Sequence, residues 1–123
     1  MEIVYQSSKL EKICVQYKAA KKFFGGDEQL ALSLYARLNA IASADCLHDI
    51  IVQPQFRFHN LHNIGNSRLD GYFSINVKTK KEPWRIILQP LDGNHEPYRG
   101  LEIVEIARSV RIVKIVEVSK HYE

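Results

Sequence analysis

The apolar positions of this chain change their period near Pro54. Before that proline they recur every three or four residues. After it they alternate with polar ones or run together in short blocks. Leu10, Ile13, Cys14, Tyr17 and Phe24 predict one helix, with Lys9, Lys12, Lys18 and Lys22 elsewhere around it. Ser8, followed by Glu11 three residues on, has the form of a capping box and places the start of that helix. Gly25-Gly26 ends it. Asp27 is the expected cap of a second helix, whose stripe is Leu30, Leu34, Leu38 and Ile41. The two-glycine break between them predicts an antiparallel helical hairpin. A short first or edge strand is expected at Glu2–Tyr5, and a short third helix over 44–52.

The remainder reads as strands. Residues 57–61 predict the first, and Asn63 to Ser67 a turn. Over 71–77 the pattern alternates, with Tyr72, Ser74 and Asn76 on one face and Phe73, Ile75 and Val77 on the other. A hairpin loop over 78–83 leads to a strand at 84–89, with Trp84, Ile86 and Leu88 opposite Arg85, Ile87 and Gln89. Residues 90–100, rich in Gly, Asn and Pro, predict a surface loop, and 101–108 a helical turn or irregular insertion. Residues 111–118 are Val/Ile-rich on both faces, as suits an interior strand. Helices first and strands afterwards make an α+β fold, with the helices on one side of a mainly antiparallel sheet.

Length changes this picture little: 123 residues hold a single domain, 1–123, with 46% hydrophobic and 25% charged residues, so a packed core is expected. Cys14 and Cys46 fall in helical patterns and predict buried, reduced thiols. The chain shows neither a signal-peptide pattern nor a long apolar run, which leads to the expectation of a cytoplasmic protein with no membrane partner.

Charge changes it more. The helical half is balanced, with six Lys/Arg and six Asp/Glu up to Pro54. From Gln55 to Arg85, six Lys/Arg face only Asp70 and Glu82, a net +4 against +3 for the whole chain. That window holds Arg57, His59, His62, Arg68, Lys78, Lys80, Lys81 and Arg85, and the last strand runs into Lys120-His121-Tyr122. Arg85, on the face opposite Trp84, holds its guanidinium in a defined direction, which suits bidentate phosphate binding. His59 and His62 offer an acid, a base or a cation over a phosphate. Alternation puts them on opposite faces of a regular strand, so no shared metal site is expected. Lys78, Lys80 and Lys81 suit salt-sensitive contacts to nucleic acid. The 111–118 strand would deliver Lys120, His121 and Tyr122 to the end of the sheet. The chain contains no Gly-rich phosphate loop and no nucleophile elbow, and the scarcity of carboxylates in the basic window weighs against a metal-dependent nuclease.

Four segments together carry a resemblance. Phe56-Arg57-Phe58-His59-Asn60-Leu61, Gly71-Tyr72-Phe73-Ser74-Ile75-Asn76-Val77, Trp84-Arg85-Ile86 and Val116-Glu117-Val118-Ser119-Lys120-His121-Tyr122 resemble the HigB-like toxins of the RelE/ParE superfamily. The resemblance spans residues 9–122 and rests on the order and spacing of the motifs. It implies the RelE-like fold, a helical hairpin packed on a twisted sheet. It also implies the toxin of a type II toxin–antitoxin pair, a ribosome-dependent messenger-RNA endoribonuclease with no metal and no cofactor. Its implied partners are the 70S ribosome, messenger RNA and a HigA-like helix-turn-helix antitoxin, held in a toxin–antitoxin hetero-oligomer.

Carried onto this sequence, the resemblance makes Arg85 the phosphate clamp. It makes His59 and His121 proton-transfer groups, and Tyr122 a group that stacks on a base or bonds the reacting atoms. Arg57, His62, Arg68, Lys78, Lys80, Lys81 and Lys120 become RNA contacts. His62 stands where relatives often have lysine, the stretch 92–109 is absent from compact members, and the chain closes Lys-His-Tyr-Glu in place of Asp-Tyr-His. Two other readings share the fold: a ParE-like inhibitor of DNA gyrase, and an inactive domain that only binds a partner.

Overall fold

Leu10 and Cys14 are buried one helical turn apart, and so are Ala20 and Phe24. A single continuous helix would present Tyr17, not Ala20, to the same side. The computed structural model, which describes residues 1–61, 71–79, 81–99 and 101–120, resolves the conflict with a break. The chain forms β1 (Glu2–Tyr5), then α1 (Ser8–Val15) and α2 (Tyr17–Phe23), where one helix was expected. Gln16 between them is extended, with φ −118 and ψ 118, which re-phases the apolar stripe onto Ala20 and Phe24. The cap of α1 is Ser7, one residue before the expected Ser8: its Oγ accepts from the Leu10 amide at 3.1 Å.

The glycine stop and the second cap are as expected. Gly25 and Gly26 take positive φ, and the Gly26 amide donates back to the Lys21 carbonyl at 2.8 Å. Asp27 Oδ1 accepts from the Leu30 amide and opens α3 (Glu28–Ser43), which buries Leu30, Ala31, Leu34, Leu38 and Ile41. The Met1 ammonium donates to the carbonyls of Ile41, Ala42 and Ala44, placing a cation on the oxygens at the end of α3.

The expected third helix shrinks to α4 (His48–Ile51), followed by a 3₁₀ turn over Pro54–Phe56. The first strand of the second half shrinks too. Arg57 ends the 3₁₀ turn in the left-handed region, φ 49, so only β2 (His59–Asn60) extends. The sheet continues through β3 (Phe73–Asn76), β4 (Arg85–Leu91) and β5 (Ile112–Ser119), in the order β1-β5-β4-β3-β2. β1 pairs parallel with β5, and the other three pairings are antiparallel. β5 is interior, as its two-sided Val/Ile pattern demands. The described residues thus form an α+β domain of five α-helices and a five-stranded mixed sheet.

One face of the sheet packs on the helices. Phe73, Ile75, Val77, Ile86, Leu88, Val113, Ile115 and Val118 join Leu34, Leu38 and Ile41 in one buried cluster. The other face carries a small patch, Leu61 and Ile87 with Tyr72 and Val116. Val116 faces that patch because a bulge at Ile87/Leu88 skips it, Ile87 pairing with Glu117 and Leu88 with Ile115.

Residues 90–100 are not wholly a surface loop. Pro90 and Leu91 are buried and extend β4 against Val113 and Ile112. The β3 pairing stops at Leu88, so β4 has one paired edge at Pro90 and its missing amide hydrogen is tolerated. The following stretch returns to the helix side of the sheet through α5 (Ile103–Ile106), where Ile106 and Val110 enter the main core. Amides of Leu47 and His48 bond the carbonyls of Val110 and Ala107 and tie α4 to it. His95, at φ 62, reaches Glu2 at 2.6 Å and pins the loop to β1. Among the described residues no helix is long and apolar enough to cross a membrane.

Cys14 and Cys46 are free and buried, as expected. Burial pushes the Cys14 thiol from 9.0 up to about 12. Tyr5 rises from 10.0 to about 12, through burial first and then through Cys14 and Glu11. A folded-state pKa above the unfolded value gives stability that is full below the unfolded pKa and lost as pH rises through the folded one. The urea midpoint should therefore hold up to pH 9.0 and fall from there towards about pH 12. Cys14→Ala should make that fall shallower, and a thiol reagent should label Cys14 only in denaturant; fast native labelling would contradict the burial.

Candidate functional site

The antiparallel register sets three polar side chains in one row. Asn76 pairs with Arg85, and Arg85 with Ser119, on three adjacent strands. Their neighbours Val77, Ile86 and Val118 face the core, so alternation turns the row to the face away from the helices. Ser74, Asn76 and Ser119 are nevertheless buried. The Arg85 Nη1 group donates to the carbonyls of Glu82 at 2.6 Å and Trp84 at 2.9 Å. The arginine is thus aimed along the loop end of the β3–β4 hairpin.

Trp84 anchors the start of β4. Its ring lies 5.0 Å from Phe24, edge to face, and 5.3 Å from Phe23. Lys120 stands over the same ring at 5.6 Å, on the helix side of the sheet, whereas Arg85 is on the other side. These two expected phosphate contacts are next to each other in the pairing but point apart, because Lys120 follows Ser119 by one residue and a strand alternates.

His59 is on the Arg85 face, since it pairs with Ser74. Strand spacing and rise put the two Cα atoms on the order of 12 Å apart, within the joint reach of an arginine and an imidazole acting on neighbouring groups of one nucleotide. His59 Nδ1 bonds the Arg57 carbonyl. A carbonyl only accepts, so Nδ1 carries the proton and the exposed Nε2 is left to take or give one. Arg57 is exposed in its left-handed turn, and its carbonyl orients His59.

Lys78 is half-buried and Lys81 exposed, both on the hairpin loop next to Arg85. His62, Arg68, Lys80, His121 and Tyr122 lie outside the described residues. No group of three His, Cys, Asp or Glu among the described residues could share a metal ion.

A further arginine had no marker in the sequence pattern. Arg37, on α3, donates Nε to the Asn76 carbonyl at 3.1 Å and Nη2 to the Lys78 and Gln55 carbonyls at 2.8 and 3.4 Å. Its guanidinium also lies 4.7 Å from the centroid of the Phe56 ring. Burial lowers its pKa from the ordinary arginine value, though a guanidinium this basic stays charged. Among the described residues its hydrogen bonds all go to backbone carbonyls, so it fixes the end of β3 and the loop behind Arg85. Little in the sequence showed that Asn76 and Ser119 would line up with Arg85; their one signal was a polar residue at every second position opposite an apolar face.

A cation, imidazole and buried donors on one sheet face can hold an oxyanion and move a proton next to it. No protein-family model matches this sequence, and no curated protein matches it.

Arg37→Ala would strand the carbonyls of Asn76 and Lys78. A loss of about 2 kcal/mol in urea unfolding is expected, with faster amide exchange at Asn76 and Val77; an unchanged midpoint would show that water replaces the guanidinium without cost.

Proposed function

We propose that this chain is a HigB-like toxin of RelE-like fold, a cytoplasmic endoribonuclease that cuts messenger RNA on the ribosome. The observation that carries the reading is the placement of Arg85, set in register with Asn76 and Ser119 on the face that also bears His59. The order of the four resembling motifs, set on α+β elements that end at this face, supports it.

The reaction needs no external nucleophile. The 2′-oxygen attacks the adjacent phosphorus, the bond to the 5′-oxygen breaks, and the products are a 2′,3′-cyclic phosphate and a 5′-hydroxyl. One proton leaves the 2′-hydroxyl and one reaches the 5′-oxygen. Arg85 clamps the phosphate and offsets its growing charge. His59, its Nδ1 held by the Arg57 carbonyl, exchanges one of the protons at Nε2. His121 and Tyr122, which follow β5, supply the second proton transfer and the base contact. Lys78 and Lys81 meet ribosomal or messenger phosphates. Helix-turn-helix antitoxins with acidic segments are the matching partners for this basic face.

In a purified translation reaction, primer extension should find cuts at in-frame codons only when ribosomes are present. Arg85→Ala should keep the wild-type Tm and lose on the order of 100-fold in cleavage, and Arg85→Lys should recover part of it. Intact cleavage by folded Arg85→Ala would refute the assignment. A folded, toxic protein that cuts nothing but causes DNA breaks would move the function to gyrase inhibition.

A further inference from the structure

We propose that the side-chain amide of Asn76 is a second donor to the reacting phosphate, an inner oxyanion contact beneath Arg85; this rests on the reading of the face as an RNA-cleaving site. Asn76 is 1% exposed, and its Nδ2 has no hydrogen-bond partner among the described residues. Buried donors are nearly always paired, and one left alone carries its full desolvation penalty. The backbone of Asn76 does not share this deficit, because its carbonyl accepts from Arg37 and its strand pairs with β4. The amide alone is left over.

Its neighbours say what it lacks. Arg85 is directly across on the same face, and Ser119 is across from Arg85. Opposed side chains have Cβ atoms about 5 Å apart, close enough for an amide and a guanidinium to meet one tetrahedral group. The amide nitrogen can only donate, and the group beside it is a cation, so the ligand that satisfies both is an oxyanion. On a phosphodiester these are the non-bridging oxygens, which gain charge as the 2′-oxygen adds to phosphorus. An unpaired donor recovers its penalty on meeting a non-bridging oxygen, and the contact strengthens as that oxygen gains charge in the transition state. Arg85 is half-buried and meets the phosphate first. Arg85 bonds the Glu82 and Trp84 carbonyls in the free protein and exchanges contacts there for the phosphate.

Titration of the full chain with cytidine 3′-monophosphate, followed by ¹⁵N NMR, tests this directly. The Asn76 side-chain amide pair should shift together with Arg85 Nε–H, with one binding constant. Movement of Arg85 alone overturns the proposal and leaves the RNA reading standing; movement of neither overturns both. Asn76→Leu removes the lone donor at nearly constant shape. Its Tm should rise by a few degrees, while single-turnover cleavage on programmed ribosomes falls on the order of 100-fold. Unchanged cleavage overturns the proposal, and so does a lowered Tm, which would mean that the amide has a structural partner.

Discussion

The period-2 alternation of β4 is the constraint on which the rest depends. Ile86 and Leu88 are locked into the core opposite Ile75 and Phe73, and Trp84 is held by Phe23 and Phe24. Arg85 then has only one face available. A slip of one residue would drive its guanidinium into the helices and put Ile86 in water, a double loss that fixes the register. The bulge at Ile87/Leu88 lets β5 keep Ile115 and Val118 in the core although they are an odd number of residues apart. It thereby keeps Ser119 on the face of Arg85.

The helical layer serves that register. The break at Gln16 turns two short amphipathic helices into one continuous apolar surface for the sheet. α3 reaches further, because Arg37 crosses to the β3 end and holds three carbonyls of elements far apart in sequence. A guanidinium suits that task, since its fork of donors satisfies several oxygens at once and it keeps its charge while partly buried. The result is a rigid frame behind the hairpin that presents Arg85. The 92–109 stretch, which the resemblance marks as absent from compact relatives, supplies Ile106 to the core, and Val110 directly after it joins the same cluster.

Much of this was legible in the chain. The helical stripe of α3, its Asp27 cap, the glycine stop, the alternation of β3 and β4 and the interior character of β5 are all local patterns, in which burial and backbone geometry act over a few residues. The directions of Arg85 and His59 were legible because a polar group opposite a core position has a predictable face. The errors were also physical. Ser7 caps in place of Ser8 because either hydroxyl can reach an N3 amide. Residues 57 and 58 leave the strand because the 3₁₀ turn ends in a left-handed Arg57, a conformation with no signature in residue type.

By itself the sequence determined the fold class, the division into a helical and a β half, and the face of each strand residue, since these follow from period and propensity. Only the tertiary structure decided which strands lie side by side. That choice made a row of Asn76, Arg85 and Ser119, sent Lys120 to the other side over Trp84, and left one amide buried without a partner among the described residues. Pairing joins residues dozens of positions apart, and the energy that selects it is the burial of a whole sheet face, which no local pattern contains.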